Sequence, residues 1–97
     1  MYYFIGIKGS GMSALASILF DLGYEVSGSD FDKHFFTEEG LVKRGIKILP
    51  FNAENIKEGM IIIKGNAFTE ENVEVSRAIE LGLTIHTYQE MVAKLTK

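Results

Sequence analysis

An open, doubly wound α/β domain with a five-stranded parallel sheet is the fold class that this 97-residue sequence predicts, and three observations predict it. Short apolar runs alternate with helix-period segments along the chain. The runs are rich in Ile and Val and mostly lack a polar alternate, as strands do when helices cover both faces of a parallel sheet. The first run, Tyr2–Ile7, passes directly into Gly6-Ile-Lys-Gly-Ser-Gly11, a glycine turn that opens a helix.

Each element has its own signal. Tyr2–Ile7 reads as a strand and Gly11–Leu22 as a helix stopped by Gly23. Tyr24–Gly28 is the second strand, Phe36–Arg44 a helix ending at Gly45, and Ile46–Pro50 a third strand whose proline stops the ladder. Asn52 is placed to cap a short helical turn beginning Ala53-Glu54-Asn55. Met60–Lys64 is the fourth strand, and Thr69–Leu81 is a helix ending at Gly82, with Thr69 as its N-cap and Glu70 and Glu71 in its first turn. Leu83–Thr87 is the fifth strand, and Tyr88–Thr96 a final helix. Right-handed crossovers restrict such a chain to the strand order 3-2-1-4-5, a Rossmann-like sheet with a crevice between strands 1 and 4 at their carboxyl ends.

Composition bounds the rest. With 46% apolar residues the chain is expected to form one domain, residues 1–97, around a single core. Its 10 basic and 13 acidic residues give a formal charge of −3 without blocks, so no nucleic-acid surface or basic membrane-binding stripe is expected. It has no cysteine, hence no disulfide or thiolate metal site, and His34 and His86 are too far apart to suggest a ligand pair. No run approaches a membrane span of about 18 residues and no signal peptide is evident, so a soluble, cytoplasmic domain is expected.

The candidate site is a phosphate-binding hinge. Gly6, Gly9 and Gly11 can take positive φ, letting a pyrophosphate approach main-chain N–H groups at a helix N-terminus. In dinucleotide register Lys8 stands where the middle glycine belongs, and Gly9 offers the close approach instead. Lys8 either lends its charge to a diphosphate or points to solvent. Ser13 is either a second phosphate donor or an early-helix polar residue. Ser29-Asp30 follows Gly11 at about the 20-residue spacing of the acid that accepts ribose hydroxyls, or else forms a turn cap. Gly65-Asn-Ala-Phe68 should form the opposite wall, with Asn66 contacting ligand or serving the turn. The aromatics around His34 either offer a stacking surface for a base, or His34 is a solvated loop residue and one Phe anchors the loop to the core. No P-loop, H-E-x-x-H, nucleophile elbow or Ser/His/Asp set is present, so no catalytic residue and no metal ligand is assigned.

The run Phe4-Ile-Gly-Ile-Lys-Gly-Ser-Gly-Met-Ser-Ala-Leu-Ala16, followed by Gly28-Ser-Asp30, Gly45-Ile-Lys-Ile48, Gly65-Asn-Ala-Phe68, Asn72, Glu74 and Tyr88-Gln-Glu-Met91, resembles the N-terminal domain of the Mur ligase family over essentially the whole chain. Glycine followed by Met-Ser is its most specific element. The resemblance implies the UDP-binding first domain of an ATP-dependent ligase of cytoplasmic peptidoglycan synthesis, which adds L-alanine to the lactyl carboxylate of UDP-N-acetylmuramate. ATP and Mg2+ would belong to a central domain, and a C-terminal domain would close over the amino acid; neither is expected in these 97 residues, so the chain alone is expected to be inactive. Carried over by position, Gly9, Ser10, Gly11 and Met12 would hold the diphosphate, Ser29 and Asp30 the uridine, and Asn66, Ala67 and Phe68 the far side. Lys8 departs from the glycine usual in that motif. A family relative that recycles peptide-linked muramate has a similar first domain. A second reading, from the residues alone, is a stand-alone regulatory module sensing NAD(H) or another adenine nucleotide.

Overall fold

The computed structural model describes residues 1–96. In chain order the elements are β1 (Tyr2–Ile5), α1 (Ser10–Asp21), β2 (Val26–Ser29), α2 (Glu38–Lys43), β3 (Lys47–Leu49), a 3-10 turn (Ala53–Asn55), β4 (Ile61–Lys64), α3 (Val73–Glu80), β5 (Thr84–Thr87) and α4 (Tyr88–Leu95). The strands form one parallel sheet in the order β3-β2-β1-β4-β5, the predicted topology.

The sheet is covered on both faces, which explains why its strands lack alternation. Phe4 and Ile63 pack with Leu15, Ala16 and Leu19 of α1, Leu41 of α2 and Met91 of α4. Their neighbours Tyr3, Ile5 and Ile62 pack on the other side with Val75 and Ala78 of α3 and with Ile56. Successive residues of a strand point to opposite faces, so the positions of the central strands β1, β2 and β4 meet a covered face on either side, whereas the edge strands are exposed at Lys47 and Thr84. Gly28 faces Phe4 across the ladder, where a Cβ would come within 2.5 Å of the Phe4 carbonyl oxygen and 2.8 Å of the Ile7 side chain.

Helices α1, α2 and α3 are followed by Gly23, Gly45 and Gly82, all at positive φ, as expected for C-terminal stops. The 3-10 turn carries the predicted Asn52 cap, whose Oδ1 accepts from Glu54 N at 2.9 Å. The start of α3 differs from expectation. Its N-cap is Asn72, which accepts from Glu74 N at 2.8 Å and Val75 N at 3.3 Å. Thr69 instead closes a turn before the helix, its carbonyl accepting from Asn72 N at 2.9 Å, so Glu70 and Glu71 precede the helix and Glu74 is the acid in its first turn. Strand β5 passes directly into α4 through a capping box, Thr87 with Glu90, and the Thr87 N–H holds the Glu90 carboxyl below its usual range. No described helix is long and apolar enough to cross a membrane.

Candidate nucleotide-binding cleft

At the carboxyl edge of the sheet β1 ends because Gly6 turns to φ +88, where an added Cβ would also collide with the Phe68 ring. Gly9 and Gly11 do not share that conformation, contrary to the expectation for all three glycines. Gly9 is the N-cap of α1 at φ −58, and Gly11 lies within the helix. Gly11 is needed for packing: a Cβ there would lie 2.8 Å from Cζ of Tyr88 on α4.

The first helical bond of α1 runs from Ser13 N to Gly9 O at 2.7 Å, and no side chain caps this end. Ser10, Gly11 and Met12 therefore present N–H groups with no partner inside the helix, at its positive pole. Beside them lies a cleft of about 420 Å3 lined by Gly6, Lys8, Gly9 and Ser10 of the turn, by Asp30 and Phe31, by Phe35, Phe36 and Thr37, and by Phe68. That volume lies within the roughly 300–1,000 Å3 of small-molecule sites.

Asp30 is tied to the turn. Its Oδ2 accepts from Lys8 N and its Oδ1 from Phe31 N, both at 2.8 Å. A carboxylate offers about four acceptor sites, so roughly two remain for ligand hydroxyls. Phe31, Phe51 and Phe68 form an aromatic cluster with ring centroids 5.1 to 6.0 Å apart. Gly6 lines the cleft as the sequence predicts, and Phe31 and Thr37, which the sequence analysis does not single out, line it too; for Phe31 the run of aromatics to Phe36 is the available signal.

The other predicted residues are placed differently. Ser29 is fully buried on the α3 face, where its hydroxyl donates to Glu74, so it does not line the cleft. Ser13 is buried and its hydroxyl donates to Ser10 O at 3.1 Å. Met12 points into the core, leaving only its backbone toward the turn. Asn66 and Ala67 are exposed, and of that segment Phe68 alone reaches the cleft. Lys8 neither points to solvent nor extends a free ammonium into the cleft: it is only 8% exposed and pairs with Glu38 at 3.1 Å. The Phe35 N–H, followed by this ammonium, holds the Glu38 carboxyl below its usual range. His34 shares a hydrogen bond with Glu38 at 3.1 Å but is largely exposed, and His86 lies in β5 in register with Ile63. Among the described residues no group of three or more His, Cys, Asp or Glu side chains is placed to hold a metal ion.

A cleft with uncapped amides on one side and a carboxylate beside them suits a nucleotide diphosphate: the amides meet the anion and the acid meets the ribose. A family model described as the Mur ligase family, catalytic domain, matches residues 1–97. The UDP-N-acetylmuramate–L-alanine ligase of Ligilactobacillus salivarius is 57% identical over 94 residues, and that of Lactiplantibacillus plantarum 53% over 95. These alignments cover 97% and 98% of this chain but 21% and 22% of the relatives, so the chain spans about a fifth of their length. The crystal structure of the UDP-N-acetylmuramate-alanine ligase of Thermotoga maritima superposes with a TM-score of 0.89 at 31% identity, over 98% of this chain and 22% of that one. A UDP-N-acetylmuramate:L-alanyl-gamma-D-glutamyl-meso-diaminopimelate ligase from Neisseria meningitides superposes at 0.85 and 27% identity, over 96% and 30%.

Proposed function

Because the chain belongs to the Mur ligase family, we propose that its cleft binds the uridine diphosphate part of UDP-N-acetylmuramate. The domain serves as the first part of a cytoplasmic, ATP-dependent ligase that adds L-alanine to the lactyl carboxylate during peptidoglycan synthesis. The observation that carries this reading is the uncapped N-terminus of α1 opening beside Asp30. The N–H groups of Ser10, Gly11 and Met12 receive the diphosphate, Asp30 accepts from the ribose hydroxyls, and Phe31, Phe36 and Phe68 wall the uridine. ATP with Mg2+, which activates the carboxylate toward the amine, belongs to portions of the longer protein. The residues of this domain bind and orient the substrate.

The test is a titration of the chain with UDP-N-acetylmuramate, UDP and NADH, followed by backbone amide NMR shifts. The uridine ligands are expected to move Gly9, Ser10, Gly11 and Asp30 while NADH leaves them in place. Movement by NADH alone would make the domain an adenine-dinucleotide sensor and end this reading. Asp30→Ala is expected to weaken UDP binding by about 1–3 kcal/mol, the cost of unpaired polar partners; calorimetry showing unchanged affinity would remove Asp30 from the site.

A further inference from the structure

We infer that Lys8 is a positioning residue: it ties the loop between β2 and α2 over the cleft, and it is not a ligand of the diphosphate. The inference rests on the nucleotide-binding reading above and assigns this lysine a role within it.

The Lys8 ammonium has three N–H donors, and each has an acceptor within the protein. They point at Phe31 O (2.9 Å), Lys33 O (2.7 Å) and Glu38 Oε2 (3.1 Å). The Phe35 ring lies with its centroid 5.9 Å from the same nitrogen. A buried ammonium paired this completely has no donor left for a phosphate unless the loop releases it.

The loop, for its part, depends on Lys8. Residues Phe31 to Phe36 are exposed, and Phe36 is 81% so. Among the described residues, the hydrogen bonds that join Phe31–Thr37 to more distant parts of the chain all involve Lys8: two are donated by its ammonium to the Phe31 and Lys33 carbonyls, and a third runs from Thr37 Oγ1 to its carbonyl oxygen at 2.5 Å. The remainder are local, to Asp30, Glu38 and Glu39. This loop contributes Phe31, Phe35, Phe36 and Thr37 to the cleft lining, so one wall of the cleft is tied to one residue of the phosphate turn through its side chain and its carbonyl. With the Lys8 charge matched by Glu38, the diphosphate is left to the α1 amides.

Lys8→Met and Glu38→Gln separate the two roles because they move the cleft charge in opposite directions: the first removes the ammonium bonds to Phe31 O and Lys33 O, and the second removes only the charge partner and leaves both bonds in place. Two readouts are taken: amide hydrogen exchange of Lys33–Thr37 without ligand, and UDP affinity by calorimetry. Lys8→Met is expected to speed loop exchange about tenfold or more, the scale of a lost charge-assisted hydrogen bond, with exchange in β1 unchanged, whereas Glu38→Gln, which keeps the bonds to Phe31 O and Lys33 O, is expected to alter it much less. Lys8→Met is expected to weaken UDP binding several-fold, and Glu38→Gln is expected not to tighten it. If Lys8 were a phosphate ligand, Glu38→Gln would free the ammonium and tighten UDP binding while Lys8→Met weakened it; such opposite signs, or unaltered loop exchange in Lys8→Met, would overturn the inference. Should Lys8→Met not fold, Glu38→Gln decides alone: tighter UDP binding overturns the inference, and unchanged or weaker binding supports it. Wild-type protein that ignores UDP would remove the nucleotide reading, whereas the ligand-free exchange would still report on the tether.

Discussion

Replacing Glu74 by Leu should remove a large part of the domain's stability, whereas Glu74→Gln should cost little. Glu74 is the second residue of α3, is fully buried, and joins three parts of the fold. Its Oε2 accepts from Tyr3 OH of β1 at 2.8 Å, from Asn55 Nδ2 at 2.9 Å and from Asn52 N at 3.2 Å. Its other oxygen accepts from the Ser29 hydroxyl of β2. Leucine keeps the apolar contacts but strands these donors. Asn52 is exposed, so water replaces its loss, and Asn55 Nδ2 still donates to Pro50 O at 2.9 Å. Tyr3 and Ser29 have no such recourse, being 1% and 0% exposed. Two stranded buried hydroxyls at about 1–3 kcal/mol each give about 2–6 kcal/mol, against roughly 5–15 for a whole domain. Glutamine can place its carbonyl oxygen where Oε2 stands, with its NH2 toward Ser29, whose hydroxyl turns to accept. That exchange should cost about 1 kcal/mol. Urea unfolding followed by far-UV circular dichroism, at constant slope, reads both values. A Leu variant as stable as the Gln variant would refute the reasoning, since the hydroxyls would then have found other partners.

Two further outcomes follow from the geometry. Gly11→Val should destabilise by about 1–3 kcal/mol through overpacking against Tyr88 rather than through backbone strain; Gly11→Ala should cost less because the Tyr88 ring end can swing aside, and thermal melts of the pair check this. Burial raises the Tyr3 hydroxyl above the ordinary tyrosine value of about 10, a rise opposed by the Ser29 hydrogen bond and supported by the Glu74 charge. Above that pH the unfolded chain gives up a proton that the folded one keeps, so this contribution is whole below about pH 10 and is lost as pH rises beyond it. Urea midpoints from pH 8 to 11 should therefore fall more steeply for wild type than for Tyr3→Phe; parallel curves would remove Tyr3 as the cause.

Local pattern determined the sheet. Short apolar runs such as Tyr2–Ile5 and Ile61–Lys64, separated by helix-period segments, imply two covered faces, and Gly23, Gly45 and Gly82 stop the helices where a positive φ is required. The same pattern put the turn before α1 and placed Asp30 at the end of β2, because one strand-turn-helix-strand unit has a nearly constant length. Tertiary structure alone decided what each polar side chain does. Ser29 and Asp30 are adjacent in sequence, but a strand turns successive residues to opposite sides, and only the presence of Glu74 on the α3 face shows that Ser29 belongs to the core. Gly11 owes its missing side chain to Tyr88, far along the chain, and not to its own backbone angle. Lys8 meets Phe31, Lys33 and Glu38 only because β1 and β2 lie side by side. Hydrophobic period is a local property of the chain, whereas the partner of a buried charge is set by whichever segment the sheet brings next to it.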